Sequence, residues 1–341
     1  MYLLRSAIET DLEDLYKLSQ LITFINLPAD KEVILRQIKK SITSFKNKNQ
    51  SKKLYNDYFL FILQDVESRE VIGASMIHGQ HGTDEVPHFY LSVSQENKFS
   101  STINTGFIHG TLKLGIDTDG PTEIGGLIIN PNFRGHPLKL GKQISFVRFL
   151  YMALHPHKFK ETIHSELMPP FDTDGNSPLW EAIGRRFMNM DYHEADLLSR
   201  DNKEFIINLF PSEVIYETLL PLEARNSIGK VGKATQPVKK MLESIGFKYT
   251  NEVDPFDGGP HYRCKLKDVT LIKSLNNYKI EVANEEINFT ECRILSLEND
   301  KYQFSAAVLP CETKDNVLII SKESFDRFEM ARDTLYNGID F

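Results

Sequence analysis

The chain has 341 residues, 41% of them hydrophobic and 26% charged, with a formal net charge of −7 at pH 7. That balance fits one large or two ordinary domains around a buried core, and the acidic sign argues against a nucleic-acid binder, whose affinity comes from clustered lysine and arginine. The three cysteines, Cys264, Cys292 and Cys311, are odd in number and show no Cys/His pair at metal-ligand spacing, so a reduced, cytoplasmic protein without a metal is expected.

The N-terminus, "MYLLRSAIETDLEDLYKL", has early acidic residues and no apolar core of signal-peptide type. It reads as a short strand, then a helix capped by Thr10 or Asp11 with Leu12, Leu15, Leu18 and Leu21 on one face. "DKEVILRQIKKSITSF" repeats the helical spacing, with Asp30 as the cap. "KNKNQSKK", residues 46–53, is the closest thing to a basic patch and reads as a solvated loop. "DYFLFILQD" and "VIGASMIHGQ", joined by "VESRE", form a hairpin. "HFYLSVSQ", "TLKLGIDTD" and "TEIGGLIINP" are further strands. "NFRGHPLKLGKQISFVRFLYMALHP" is a basic glycine-bearing loop leading into a long amphipathic helix. "TIHSELM" is a strand, and helices dominate from "SPLWEAIGRRFMNM" to "IYETLL". A helix, a glycine stop and strands surround "DPFDGGP". The tail from about residue 271 is β-rich. The fold class is therefore α+β, a mixed sheet flanked by helices, with residues 1–270 as a main domain and 271–341 as a small β-rich C-terminal domain.

Gly125 and Gly126 interrupt a strand, a pattern that marks a bulge or the close approach of a ligand backbone. The next segment sets Arg134, Gly135, Lys139, Gly141 and Lys142 at the start of a helix. Backbone N–H groups at a helix N-terminus bind phosphate, and nearby cations strengthen the site. Acyl-CoA has a pyrophosphate to place there and a pantetheine arm to lay along the splayed strand. Packing glycines and a solvated loop are the plainer alternative for each piece taken alone.

Read together, "LRSAIETDLEDLYKLS", "INLPADKEVIL", "NPNFRG", "DGNSPLWEAIGRRFMNMDYHEADLL", "IYETLL", "IGKVGKATQP", "LESIGFKY" and "DPFDGGP" resemble the arginine N-succinyltransferase family from residue 3 to about 270. The resemblance implies the fold of the GCN5-related N-acyltransferases. It also implies acyl transfer from an acyl-CoA co-substrate, typically succinyl-CoA, to the α-amino group of arginine or ornithine, as the first step of arginine catabolism by succinylation. No tightly bound cofactor is implied. Leu127 falls on the strand position that family members use for succinyl-CoA. Some members act as paired, similar subunits, so a homo-oligomer or a pair with a similar chain is expected.

The chain departs from the family pattern in three places. The V-H-P-x-T stretch that carries the family's proton donor reads "VGKATQP", with Gly232 at the histidine position. An early glycine run is replaced by "SQLITFINLPAD". The phosphate loop, "RGHPLKLGK", is rebuilt. His261, directly behind "DPFDGGP", is the candidate to carry the proton instead, because an imidazole titrates near neutrality; the plainer reading is an ordinary strand residue. Glu166 and Asp257 are the carboxylates expected to face a cationic substrate, since a guanidinium is a good bidentate partner for a carboxylate. Cys264 is read as a buried structural thiol rather than a nucleophile. Besides succinylation of arginine, a different amine or acyl donor, or a non-catalytic subunit, fits the same residues.

Overall fold

The computed structural model describes residues 1–21, 27–47, 49, 53–199, 202–283 and 287–341. Parts of "SQLITFINLPAD" and of the basic stretch 46–53 lie outside these residues. The strands are β1 (Tyr2–Ser6), β2 (Tyr58–Asp65), β3 (Val71–His78), β4 (His88–Ser100), β5 (Thr105–Asp117), β6 (Thr122–Ile129), β7 (Thr162–Glu166), β8 (Ile215–Tyr216), β9 (Lys248–Val253), β10 (Pro260–Lys265), β11 (Asn276–Val282), β12 (Glu291–Leu297), β13 (Ser305–Lys314), β14 (Val317–Ile320) and β15 (Tyr336–Asp340). Three helices matter most: α1 (Leu12–Gln20), α2 (Lys31–Lys46) and α3 (Leu140–Leu154). Among the described residues no helix is long and apolar enough to cross a membrane.

The chain divides into two compact units, one of residues 1–80, 122–163 and 265–341, the other of residues 81–121 and 164–264. In the first unit the strands run β12-β15-β11-β14-β13-β1-β2-β3-β6. β12 also pairs with β13, so the five tail strands close on themselves around Leu295, Leu309 and Leu318. The tail strand β13 pairs in turn with β1, Leu4 opposite Ala306.

β2 explains the layering. Its apolar run is continuous because both faces are covered. Leu60 and Ile62 pack with Leu15 of α1 and with Ile34 and Ile38 of α2. Phe59 and Phe61 point the other way and meet Tyr151 of α3, with ring centroids 5.1 and 5.7 Å apart. Asp30 caps α2 as its position in the sequence suggests, its carboxylate accepting from Glu32 N at 2.8 Å and Val33 N at 3.1 Å.

α3 differs from expectation. It is not amphipathic: from Gln143 to Ala153 every residue is buried. The reason is tertiary, since one side packs on β2, β3 and β6 while β12, β15 and the short helix Thr270–Lys273 cover another.

In the second unit the sheet order is β7-β10-β9-β4-β5-β8, with His164 to Glu166 contributed from β7. β4 and β5 make a hairpin paired along its whole length, from His88–Asp117 to Ser100–Thr105. The sheet's core includes Trp180, Leu91, Leu112 and Phe256. Trp180 stacks on Phe256 at 4.8 Å and donates from Nε1 to Met190 O at 2.9 Å.

Candidate active site

The segment "DPFDGGP" is a built turn. Asp254 Oδ1 accepts from Phe256 N at 2.7 Å and Asp257 N at 3.0 Å. Asp257 Oδ1 accepts from Gly259 N at 2.7 Å. Gly258 sits at φ +80°, in the left-handed region that glycine adopts without cost. Ser177 Oγ donates to Phe256 O at 2.8 Å, and Phe256 itself lies flat on Trp180. This frame fixes where β10 starts and therefore where its second residue, His261, points.

His261 is fully buried. Its Nε2 stands 3.6 Å from Glu166 Oε1 and its Nδ1 3.6 Å from Glu252 Oε2. Neither nitrogen has a hydrogen-bond partner within ordinary distance. Glu166 Oε1 also faces His164 Nε2 at 3.2 Å and His88 Nδ1 at 3.7 Å. One carboxylate oxygen therefore meets three imidazoles, from β4, β7 and β10. His164 Nδ1 accepts from Arg263 Nε at 3.2 Å, and Arg263 pairs with Glu252 at 2.8 Å. His164 and Glu166, like His261 and Arg263, are two apart on a strand and so share a face.

The electrostatics follow from this packing. Burial pushes His164 down to about 4, against the pull of Glu166. Burial and the neighbouring His81 hold His88 well below the usual histidine range. Burial alone would raise Glu166, but the hydrogen bond from His164 and the imidazoles of His261 and His81 outweigh it and hold the carboxyl well below its ordinary value. Asp254 is raised to about 6 by burial and by Glu166. Burial, with Asp254 beside it, raises Asp257 well above its ordinary value. Of the two carboxylates singled out in the sequence, Glu166 is thus the ionised one and has a side chain 30% exposed, while Asp257 has one oxygen committed to the turn.

Gly232, at the family's histidine position, donates from N to Met168 O at 2.8 Å. Cys264 is buried on β10, three residues beyond His261. His88, His164, Glu252 and Arg263 were not apparent from the sequence, which drew attention here to His261, Glu166 and Asp257. The i, i+2 spacing of His164 with Glu166 on a predicted strand was the available signal.

The first unit carries the residues expected to hold an acyl-CoA. β6 is bulged where the glycines stand: β6 runs from Gly125 to Ile128 while its partner β3 runs from Met76 to Ala74, one residue more on β6. Gly126 has φ +58°, and a Cβ there would lie 2.9 Å from Met76 Cγ, so both the backbone and the space favour glycine. Leu127 follows on the bulge. Arg148, fully buried in α3, donates to the Gly125 carbonyl at 3.2 Å and to Ser145 O at 2.9 Å. Burial lowers its pKa, and no carboxylate pairs with it among the described residues.

β6 leads through Arg134 and Gly135, both exposed, to Lys139, which starts α3 from the left-handed region at φ 53°. Gly141 and Lys142 lie in its first turn; Lys142 N already donates to Lys139 O at 2.8 Å, so Lys142 offers its ammonium rather than its N–H. A cavity of about 590 Å³ opens beside them, lined by Lys139, Lys142, Arg293, Cys292 and Phe341 among others. The Lys142 ammonium sits 4.5 Å from the Phe341 ring centroid and 4.9 Å from that of Phe146. Arg134 and Gly135 are not among the cavity's lining residues.

A family model for the arginine N-succinyltransferase beta subunit matches residues 2–271. The chain belongs to that family. The arginine N-succinyltransferase of Yersinia pestis is 29% identical over 329 residues, 94% of this chain and 92% of the relative. The enzyme of the same name from Escherichia fergusonii is 30% identical over 314 residues, 91% of this chain and 88% of its own. The solved structure of arginine/ornithine succinyltransferase subunit AI from Pseudomonas aeruginosa superposes with a TM-score of 0.84 at 24% identity, covering 100% of this chain and 98% of that one. The α+β class expected from the sequence therefore holds, and the superposition spans the whole chain.

Proposed function

We propose that this chain transfers the succinyl group of succinyl-CoA to the α-amino group of arginine. The observation that carries the reading is the bulge at Gly126, which breaks the β6 ladder immediately ahead of a basic helix N-terminus, in a member of the arginine N-succinyltransferase family. In the reaction the neutral amine attacks the thioester carbonyl, a tetrahedral oxyanion forms, and CoA leaves as the thiolate.

Backbone N–H groups freed by the bulge around Gly125, Gly126 and Leu127 stabilise the oxyanion; one such donor is typically worth about a hundred- to a thousandfold in rate. The first turn of α3, with Gly141, Lys139 and Lys142, binds the pyrophosphate, and Arg134 and Gly135 flank it. Arg148 acts through the strand, holding the Gly125 carbonyl so that the bulge keeps its shape. Glu166, kept ionised, draws the cationic amine. His261 accepts the amine proton in place of the family histidine. Its unpartnered nitrogens support that role, because a group already locked in strong hydrogen bonds moves a proton less readily. Asp257, raised by burial and accepting from Gly259 N, serves the turn that aims His261 rather than the substrate's charge.

The test is steady-state kinetics with succinyl-CoA and arginine for the wild type, His261→Ala and Glu166→Gln. Turnover should fall at least tenfold in His261→Ala with KM for succinyl-CoA nearly unchanged, as expected for loss of a positioned base. Full activity in His261→Ala would remove the histidine from the chemistry.

A further inference from the structure

We infer that His88, His164, His261 and Glu166 form a binding site for one divalent transition-metal ion of the zinc type. Each residue offers one ligand atom, and these atoms all lie within 4.8 Å of one another. Ligand atoms about 2.0–2.1 Å from a tetrahedral ion stand about 3.3–3.4 Å apart. Glu166 Oε1 is 3.2 Å from His164 Nε2, 3.6 Å from His261 Nε2 and 3.7 Å from His88 Nδ1. These three edges lie within a few tenths of an ångström of that geometry and the edges between the imidazoles within 4.8 Å, and side-chain rotations close the remainder.

A second observation is independent of these distances. Both nitrogens of His261 and Nε2 of His88 are buried without a hydrogen-bond partner. Buried polar groups are paired in nearly all proteins, and an unpaired one costs about 1–3 kcal/mol. Of these, His261 Nε2 is aimed at Glu166 Oε1, where an ion would satisfy it, while Nδ1 of the same ring faces Glu252. Three imidazoles and one carboxylate are the donor set of zinc and its neighbours rather than of magnesium or calcium, which take oxygen.

The surroundings provide the outer contacts that metal sites use. Glu252 Oε2 lies 3.6 Å from His261 Nδ1, where it can accept the ring proton once Nε2 holds the ion. His164 binds through Nε2 only if its proton moves to Nδ1, so the Arg263 Nε–H must turn away. Arg263, whose side chain is 20% exposed, keeps its 2.8 Å pair with Glu252 when it does so. His261 Nε2 cannot hold an ion and carry a proton together, so loading the site withdraws His261 from proton transfer. The site itself stands whether or not the chain acylates arginine.

The test titrates the chelator-stripped full chain with Zn²⁺ against a chromophoric competitor, in the absence of any acyl donor, and with Co²⁺ followed by visible absorption. One ion per chain and a tetrahedral Co²⁺ spectrum are expected. Glu166→Gln and His88→Ala, each checked for an unchanged circular dichroism spectrum, should weaken binding at least tenfold, while His193→Ala, on an exposed helix position, should not. The wild-type measurement decides the matter even where a variant fails to fold. Failure of the wild type to bind one ion overturns the inference, and so does equal affinity in folded Glu166→Gln.

Discussion

Gly232 presses on Pro169: a Cβ built on the glycine would stand 2.6 Å from the Pro169 carbonyl oxygen. Gly259, at the turn ahead of His261, lies against the same proline, its would-be Cβ 3.3 Å from Pro169 Cδ. The position that carries the family histidine and the turn that aims His261 therefore flank one residue. Restoring the family residue should not restore a function. Gly232→His should lower stability by about 1–3 kcal/mol, the usual range for overpacking, and should not raise turnover. Thermal unfolding and the succinylation rate check it; a stable, faster variant would show that the backbone here yields easily.

Arg148 supplies the second prediction. Its guanidinium is enclosed in α3 and reaches the Gly125 carbonyl across 3.2 Å. Arg148→Met keeps most of the volume and removes the donors, so the Gly125 carbonyl loses its partner. A stability loss of about 1–3 kcal/mol is expected. Turnover should fall with it, because the bulge loses its support, while binding of free CoA should change little. A variant with normal turnover would separate Arg148 from the acyl site.

The phosphate end is tested by charge. Arg134→Ala with Lys142→Ala should weaken CoA binding at least tenfold, about 1.4 kcal/mol, and flatten its dependence on salt. Calorimetry at two ionic strengths measures both. Unchanged affinity would place the pyrophosphate elsewhere.

Much of this was legible because it is local. The Asp30 cap, the β2–β3 hairpin and the bulge at Gly125 and Gly126 each depend on a few adjacent residues, and each can be read as a pattern. The burial of α3 on every side was not legible, since β12 and β15, which cover it, come more than a hundred residues later in the chain. The same holds for the histidine cluster. His88, His164 and His261 stand on three strands brought side by side by the sheet, and no spacing in the sequence relates them. His164 and Glu166 could have been paired from their alternation on β7, but nothing local pointed to His88 as the third member.

Acid should weaken the fold partly through His155. Burial lowers its pKa to about 4, with Lys158 and His157 adding to the effect, and its ring lies 4.6 Å from that of Tyr151. The folded state binds this proton less tightly than the unfolded chain, whose histidine titrates near 6.5. The contribution is therefore intact above about pH 6.5 and is lost as pH falls from there toward 4. A fully buried histidine would give a slope of about 1.4 kcal/mol per pH unit, and half-exposed His155 gives less. His155→Gln should have a shallower decline than the wild type when urea midpoints are compared at pH 7 and pH 5. Parallel declines would mean that the histidine titrates alike in both states.

The most direct test of the central claim is product formation by the wild type alone. The purified chain is incubated with a panel of acyl-CoA donors and amines, and products are identified by mass spectrometry with CoA release followed in parallel. The account predicts N2-succinylarginine from succinyl-CoA and arginine, with CoA released in equal amount. Absence of any acylated amine across the panel, from a folded chain that binds CoA, would contradict it.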